Sequence, residues 1–272
     1  MTEEFGNLQT NGGWQHSPWV LLPFTLGLGI FLWYVVVWAG ELQPFILPPP
    51  HLVWRRLLTS LADGSLLRHT LVTFSEVLAG LLLGSSAASL IGYLLAKSKR
   101  LERLLAPYVV ASQSVPTVAI APLLVIWFGP GQLSKVLISA LIVFFPILIN
   151  TIVGIRSVPE ELRALLRSLQ ATPWQTFRLL ELPAALPVLL GGLRIGATLS
   201  VIGAVVGEFV GADRGLGFLI NVGRGEYDTA LVFVAVFTLI AMALALYGLV
   251  LLIEHRVLAW QRRDDQPRLF KE

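Results

Sequence analysis

Six runs of roughly 23 mostly apolar residues recur along this sequence, at 18–40, 71–96, 105–128, 133–155, 188–211 and 231–253. Each is long enough to cross the hydrocarbon layer of a bilayer as a helix, and a soluble core cannot absorb six of them. Composition agrees: 55% of the 272 residues are hydrophobic and 14% are charged, against about a quarter charged in soluble domains. Inside a bilayer the backbone must satisfy its own N–H and C=O groups, and single runs of this length do so as α-helices. The expected fold is an all-α membrane protein with six transmembrane helices in one domain over 18–260. The spans take up about half of the chain, which leaves no room for a folded soluble domain. The first run is longer than a signal-peptide core and has neither a basic leader nor a small-residue cleavage site, so it is expected to stay as a span.

Local signals refine this picture. Gly80 and Gly84 form a small-xxx-small pair in the second run, which permits close helix approach. Pro107, Pro116 and Pro122 interrupt the third run, where kinks or unwound turns are expected, and the fourth contains Pro146 and Asn150. Between the first two runs, Pro48, Pro49 and Pro50 extend the backbone, and 53–61 reads as an amphipathic helix lying on the outer interface. Lys97, Lys99, Arg100 and Arg103 follow the second run, and more arginines follow the fourth and sixth. That excess of positive charge is expected to place these segments in the cytoplasm, and with six spans both terminal tails, 1–17 and 261–272, fall on the same side.

A polar island, 156–187, separates the fourth and fifth runs. Ser157 and Glu160 have the spacing of a capping box, with Pro159 in the first turn. Leu162, Leu165, Leu166 and Leu169 then recur at i, i+3, i+4 and i+7, which puts four leucines on one helical face. Thr172, Pro173 and Gln175 repeat the start signal, so a second short helix carries Trp174, Phe177 and Leu180 and is expected to stop before Pro183. Two capped helices rich in arginine, held between membrane spans, suit a docking element.

With Ala164-Leu165-Leu166, Gln170 and Leu182-Pro183 in register, the island resembles the E-A-A, three residues, G, nine residues, I-x-L-P motif of permease subunits of binding-protein-dependent ABC importers. The runs R-S-L-Q-A-T-P-W-Q-T-F and L-P-A-A-L-P are similar to the nitrate, sulfonate and taurine group of that family, and the resemblance extends over about 48–260. It implies the type I importer permease fold in the cell (inner) membrane, with cytoplasmic coupling helices between spans four and five. It also implies an ABC ATPase dimer, a second and identical permease chain and an extracytoplasmic solute-binding protein as partners. ATP and magnesium would bind to the ATPase, with no cofactor in this chain. The residues carried over as ATPase-coupling are Glu160, Leu162, Arg163, Ala164, Leu165, Leu166, Arg167, Gln170, Trp174, Leu182 and Pro183. Arg163 and Arg167 would pair with acidic groups on the ATPase, and Leu162, Leu166 and Trp174 would anchor in its groove.

The sequence departs from the motif where Ala164 stands for the acidic residue and Gln170 for the glycine. A glycine there usually supplies a positive φ, which costs other residues about 1 kcal/mol, so either the bend differs or Gln170 extends the first helix. The stretch 207–217, G-E-F-V-G-A-D-R-G-L-G, looks like group members that carry riboflavin or the thiamine pyrimidine. The implied cargo is a small organic solute of that kind, or a sulfonate- or nitrate-type anion.

Other chemistries find no support. There is no cysteine, and the four histidines are scattered among the flanks of the spans. No metal-ligand spacing, nucleophile elbow or phosphate loop occurs, so neither an intramembrane enzyme nor nucleotide hydrolysis by this chain is expected. The basic residues flank apolar runs and serve topology rather than nucleic acid. Ionisable groups inside spans are few, and each is a candidate for function. Glu76 and Glu208 either line a translocation path or reach the interface, while Gln113, Ser114, Pro116 and Asn150 are further path candidates. Arg194 is expected to anchor the fifth span near the cytoplasmic surface. An ion-coupled secondary transporter or channel is the main alternative; it would favour coupling groups on broken helices. A scaffold that binds an ATPase without transporting anything would need no passage at all.

Overall fold

Every regular element in the computed structural model, which describes residues 18–259, is helical. The two tails lie outside the described residues. In chain order the helices are α1 (Pro18–Ala39), α2 (Pro50–Ala62), α3 (Ser65–Lys97), α4 (Lys99–Gln113), α5 (Thr117–Phe128), α6 (Gln132–Arg156), α7 (Glu160–Ser168), α8 (Pro173–Thr176), α9 (Leu182–Gly211), α10 (Leu216–Gly225) and α11 (Thr229–Val257). A π turn, Phe177–Glu181, joins α8 to α9.

Four helices are long and apolar enough to cross a membrane: α3, α6, the continuous Pro173–Gly211 helix and α11. The pair α4 and α5 makes a fifth if taken as one span, bent by 92°. The break falls at Pro116, which stands in extended backbone ahead of α5. Pro107 and Pro122 lie inside α4 and α5. α1 is apolar along its length and sets Trp33 against Phe233 and Phe237 of α11. The amphipathic stretch after Pro48 is α2, with Pro50 in its first turn, where a missing N–H leaves no bond unmade.

α6 lies between α3 and α9 and forms the core with them. Lipid tails are as apolar as leucine, so helices in a bilayer are held by close packing rather than by escape from water. Small residues supply that closeness here. A Cβ added to Gly84 of α3 would come within 2.6 Å of the Ala140 carbonyl oxygen on α6, and one added to Gly203 of α9 within 2.5 Å of Ser139 Cα. Gly80 meets the same Ser139, so the expected small-residue pair is where α3 touches α6. The Ser139 hydroxyl is fully buried and donates to the Ser200 carbonyl at 3.0 Å, which satisfies it without water.

The structure corrects several sequence readings. The helix expected to stop before Pro183 runs on into α9 as one piece. Proline in a regular helix strikes the carbonyl four residues back; here the preceding turn is widened, with Leu182 N–H donating to the Phe177 carbonyl five residues back. Ser157 does not cap α7. It ends α6, its hydroxyl donating to the Gly154 carbonyl, and Pro159 stands at the N-cap of α7 instead of in its first turn. The glycine-rich stretch 207–217, given no helix by the sequence reading, leads into α10, which buries Leu216, Leu219 and Ile220 at i, i+3 and i+4.

Because α6 and α9 touch at Gly203 through backbone, Gly203→Val forces the two helices apart. Thermal unfolding in detergent is expected to show a loss of about 3 kcal/mol, while Gly248→Ala on α11, which has open space, leaves the midpoint unchanged or slightly higher.

Candidate functional site

The segment between α6 and α9 is built from two rigid stops. α7 ends on Gln170, whose φ is +55°, the left-handed conformation usually reserved for glycine. Gln170 N–H donates to the Arg167 carbonyl at 3.0 Å and Ala171 N–H to the Leu166 carbonyl at 3.0 Å, the paired bonds of a Schellman ending. Gln170 therefore keeps the bend that the glycine of the motif would make, and does not extend the helix. Two residues later α8 opens on a complete capping box: Gln175 N–H donates to the Thr172 hydroxyl at 3.3 Å, and Thr172 N–H to Gln175 Oε1 at 2.7 Å.

α7 buries none of its residues. Leu162 is 43% exposed, Leu165 53%, Leu169 67% and, across the bend, Trp174 65%. A leucine row that faces away from its own chain is an unfilled contact surface. Glu160 and Ala164 are exposed, and Leu166, Leu182 and Pro183 half-buried. Arg167 pairs with Glu160 on the exposed side of the helix. Arg163 turns inward: it donates to the Ile155 carbonyl at 2.6 Å and lies 3.8 Å from Glu181.

Glu181 is the residue that sequence reasoning missed. It is fully buried, accepts from Lys97 Nζ at 2.6 Å and from the Tyr93 hydroxyl at 3.1 Å, and sits at the end of the π turn. Its signal was present, because an acid at the apolar side of an arginine-rich stretch needs an internal cation, and Lys97 ends the span beside it. A second tie at this end is bidentate, from Arg156 to both Glu102 oxygens at 2.5 Å. An apolar cavity of about 580 Å³ lies alongside, between Leu90, Tyr93, Ile155, Trp174, Phe177 and Leu189.

At the opposite end of the core, Glu208 is fully buried and held by donors from two elements. The Thr73 hydroxyl of α3 donates to Oε1 at 2.6 Å, and Gly217 N–H in the first turn of α10 donates to Oε2 at 2.5 Å. Leu216 N–H donates to the Thr73 oxygen at 2.8 Å, and Gly215 N–H to His69 Nδ1 at 2.9 Å. The positive end of a helix suits a carboxylate. A Cβ at Gly215, whose φ is +112°, would overlap that carboxyl group, so the glycines of 207–217 make room for Glu208. Glu76 is also buried, close to Glu208, with Oε2 lacking a partner among the described residues. Both acids thus lie inside the chain at this end, beside a 380 Å³ cavity that Glu76 lines with Ser75, Gln132, Lys135, Asp213 and Arg214.

The remaining path candidates are spread out. Ser114 and Pro116 are exposed at the break between α4 and α5, next to Gln113. Asn150 is half-buried on α6 and donates to the Pro146 carbonyl at 2.8 Å. Arg194 reaches Glu254 on α11 at 3.1 Å.

Comparison with known proteins assigns this architecture. A family model described as "Binding-protein-dependent transport system inner membrane component" matches residues 80–259. The riboflavin transport system permease protein RibX of Chloroflexus aurantiacus is 48% identical over 244 residues, covering 90% of this chain and 91% of that protein. The formylaminopyrimidine transport permease protein ThiX of Halalkalibacterium halodurans is 34% identical over 238 residues, covering 86% and 95%. Among solved structures, an inward-facing form of the MetNI methionine ABC transporter superposes with a TM-score of 0.63 at 20% identity, over 72% of this chain and 97% of that one, which shows a shared fold. The chain belongs to the inner-membrane components of binding-protein-dependent transport systems and is the permease subunit of an ABC importer.

Proposed function

We propose that two copies of this chain form the passage of an ATP-driven importer for a heterocyclic vitamin or its precursor, riboflavin or a thiamine pyrimidine. The observation that carries the substrate class is the 48% identity to the riboflavin permease over nearly the whole of both chains, followed by 34% to the formylaminopyrimidine permease. The buried pair Glu76 and Glu208 argues in the same direction, since a fixed site for a sulfonate would favour cations or helix N-termini free to meet it. In this reading α1 and the bent pair α4 and α5 complete six spans, and both termini are cytoplasmic.

The exposed row Leu162, Leu165 and Leu169, with Trp174 across the bend, supports docking of a cytoplasmic ATPase there. A rigid platform with no cover in its own chain gives a partner both anchors and a fixed angle. ATP-driven movement of the ATPases would shift α7 and α8 and swing the core between inward-open and outward-open states. Solute would be delivered by an extracytoplasmic binding protein, and Gln113, Ser114, Pro116 and Asn150 would border its route. Glu76 and Glu208 would stand at the outer boundary of that route.

Sealed vesicles carrying this chain, its ATPase and its binding protein are expected to accumulate riboflavin or the pyrimidine only with ATP on the ATPase side; accumulation of taurine instead would overturn the substrate class. Leu165→Asp with Trp174→Asp is expected to cut ATPase co-purification by about 30-fold or more, as loss of a contact centre does. Gln170→Gly should relieve the left-handed conformation, raising stability by roughly 0.5–1 kcal/mol in detergent unfolding without weakening that co-purification.

A further inference from the structure

Glu181 has no part in the docking surface, yet it is the point where three moving pieces meet. It terminates the π turn at the head of α9, binds Lys97 and Tyr93 one helical turn apart on α3, and faces Arg163 of α7. We propose that Glu181 is the positioning residue that carries displacement of the docking helix α7 into the α3 and α9 spans, so that ATP turnover drives transport. This rests on the docking reading above.

The geometry gives the junction two unequal arms. Lys97 Nζ at 2.6 Å and the Tyr93 hydroxyl at 3.1 Å hold the carboxylate firmly to α3. Arg163 stands off at 3.8 Å, close enough to attract but not hydrogen-bonded to it. Glu181 is fully buried and the Arg163 side chain is 19% exposed, so that arm is little screened by water, whereas the Lys97 side chain is 41% exposed and holds chiefly through its short hydrogen bond. The tight arm makes α3 and the head of α9 move together. The loose arm is where α7 presses on them, because α7 buries no residue of its own and the Arg163 side chain is its inward reach. Arg163 also holds the last carbonyl-bearing turn of α6 through Ile155, so the same side chain registers α6. A push on α7 thus arrives at all three core helices through one guanidinium and one carboxylate.

A purely structural ion pair would affect folding and assembly alone, whereas a transmitting one sets how much solute moves per ATP spent. The test uses the assembled complex in vesicles and measures three things together: ATPase co-purification, ATP hydrolysis stimulated by loaded binding protein, and solute imported per ATP. Glu181→Gln is expected to keep co-purification and hydrolysis within about twofold of wild type while import per ATP falls about tenfold. Lys97→Met should do the same and Lys97→Arg should retain import, since charge at that place is what matters. The double variant Glu181→Gln with Lys97→Met should be no worse than the weaker single variant, as expected for two groups acting through one contact. Unchanged import per ATP in Glu181→Gln, or import and hydrolysis falling in parallel, would overturn the proposal, as would independent losses in the double variant. If Glu181→Gln fails to fold, Lys97→Met and Tyr93→Phe carry the same comparison. Failure of the wild-type chain to retain its ATPase at all would instead overturn the docking reading, leaving a different outcome for each claim.

Discussion

The closeness of α6 to both α3 and α9 is the constraint on which everything else in this molecule depends. A bilayer offers apolar helices no advantage in touching each other over touching lipid, so contact must come from fit. At Gly80, Gly84 and Gly203 the backbones approach until no side chain fits between them, and Ser139 completes the seam with a buried hydrogen bond. Three spans are thereby made into one block. Helices packed less closely, such as α1 with its aromatic contact to α11 and the bent pair α4 and α5, surround that block without sharing its seam.

Each end of the block is closed by a buried carboxylate, and the two closures are built from the same helices. Near α7, Glu181 joins the head of α9 to the end of α3 through Lys97 and Tyr93. At the far end, Glu208 near the end of α9 is tied to Thr73 near the start of α3 and to the first turn of α10. Burying such groups is costly unless their donors are in place, so the two ties hold best in the register that the glycine seam already sets. The core is pinned at both ends and tight in the middle. In the proposed transport cycle it behaves as a lever, and the docking helices are its handle.

Much of this was legible in the sequence. Hydrophobic runs marked the four helices long enough to cross a membrane and the bent pair α4 and α5, small residues marked the α3–α6 seam, and the Thr172, Pro173 and Gln175 pattern located the start of α8 to the residue. The family followed from the island at 156–187, and with it the ion-coupled transporter, channel and scaffold alternatives lost their footing. What stayed hidden was tertiary. Pro183 looked like a stop because the rule applies to a regular helix, and the wider π turn that accommodates it leaves no mark in residue order. Ser157 and Glu160 matched a capping box by spacing, yet the hydroxyl found a carbonyl in its own preceding turn. Gln170 could be read two ways because a left-handed residue other than glycine is held by bonds on both sides of it. That Glu181 would need an internal cation was readable, but which groups tie Glu181 and Glu208 was not, because their partners lie 84 and 135 residues away, a distance over which a single sequence carries no pairing signal.

The most direct test of the lever is a distance measurement between spin labels in the assembled complex, with and without ATP. The chain has no cysteine, so Leu67→Cys on α3 and Ile149→Cys on α6 can be labelled on the purified chain before it is assembled with its partners, in complexes holding one labelled copy and one unlabelled; a second set carries Leu67→Cys alone on both copies. A rigid core keeps the α3–α6 distance within one copy fixed through the cycle, while in the second set the distance between the Leu67→Cys labels on the two copies changes as the passage alternates. A change within the single copy on adding ATP, with the distance between copies constant, would contradict it.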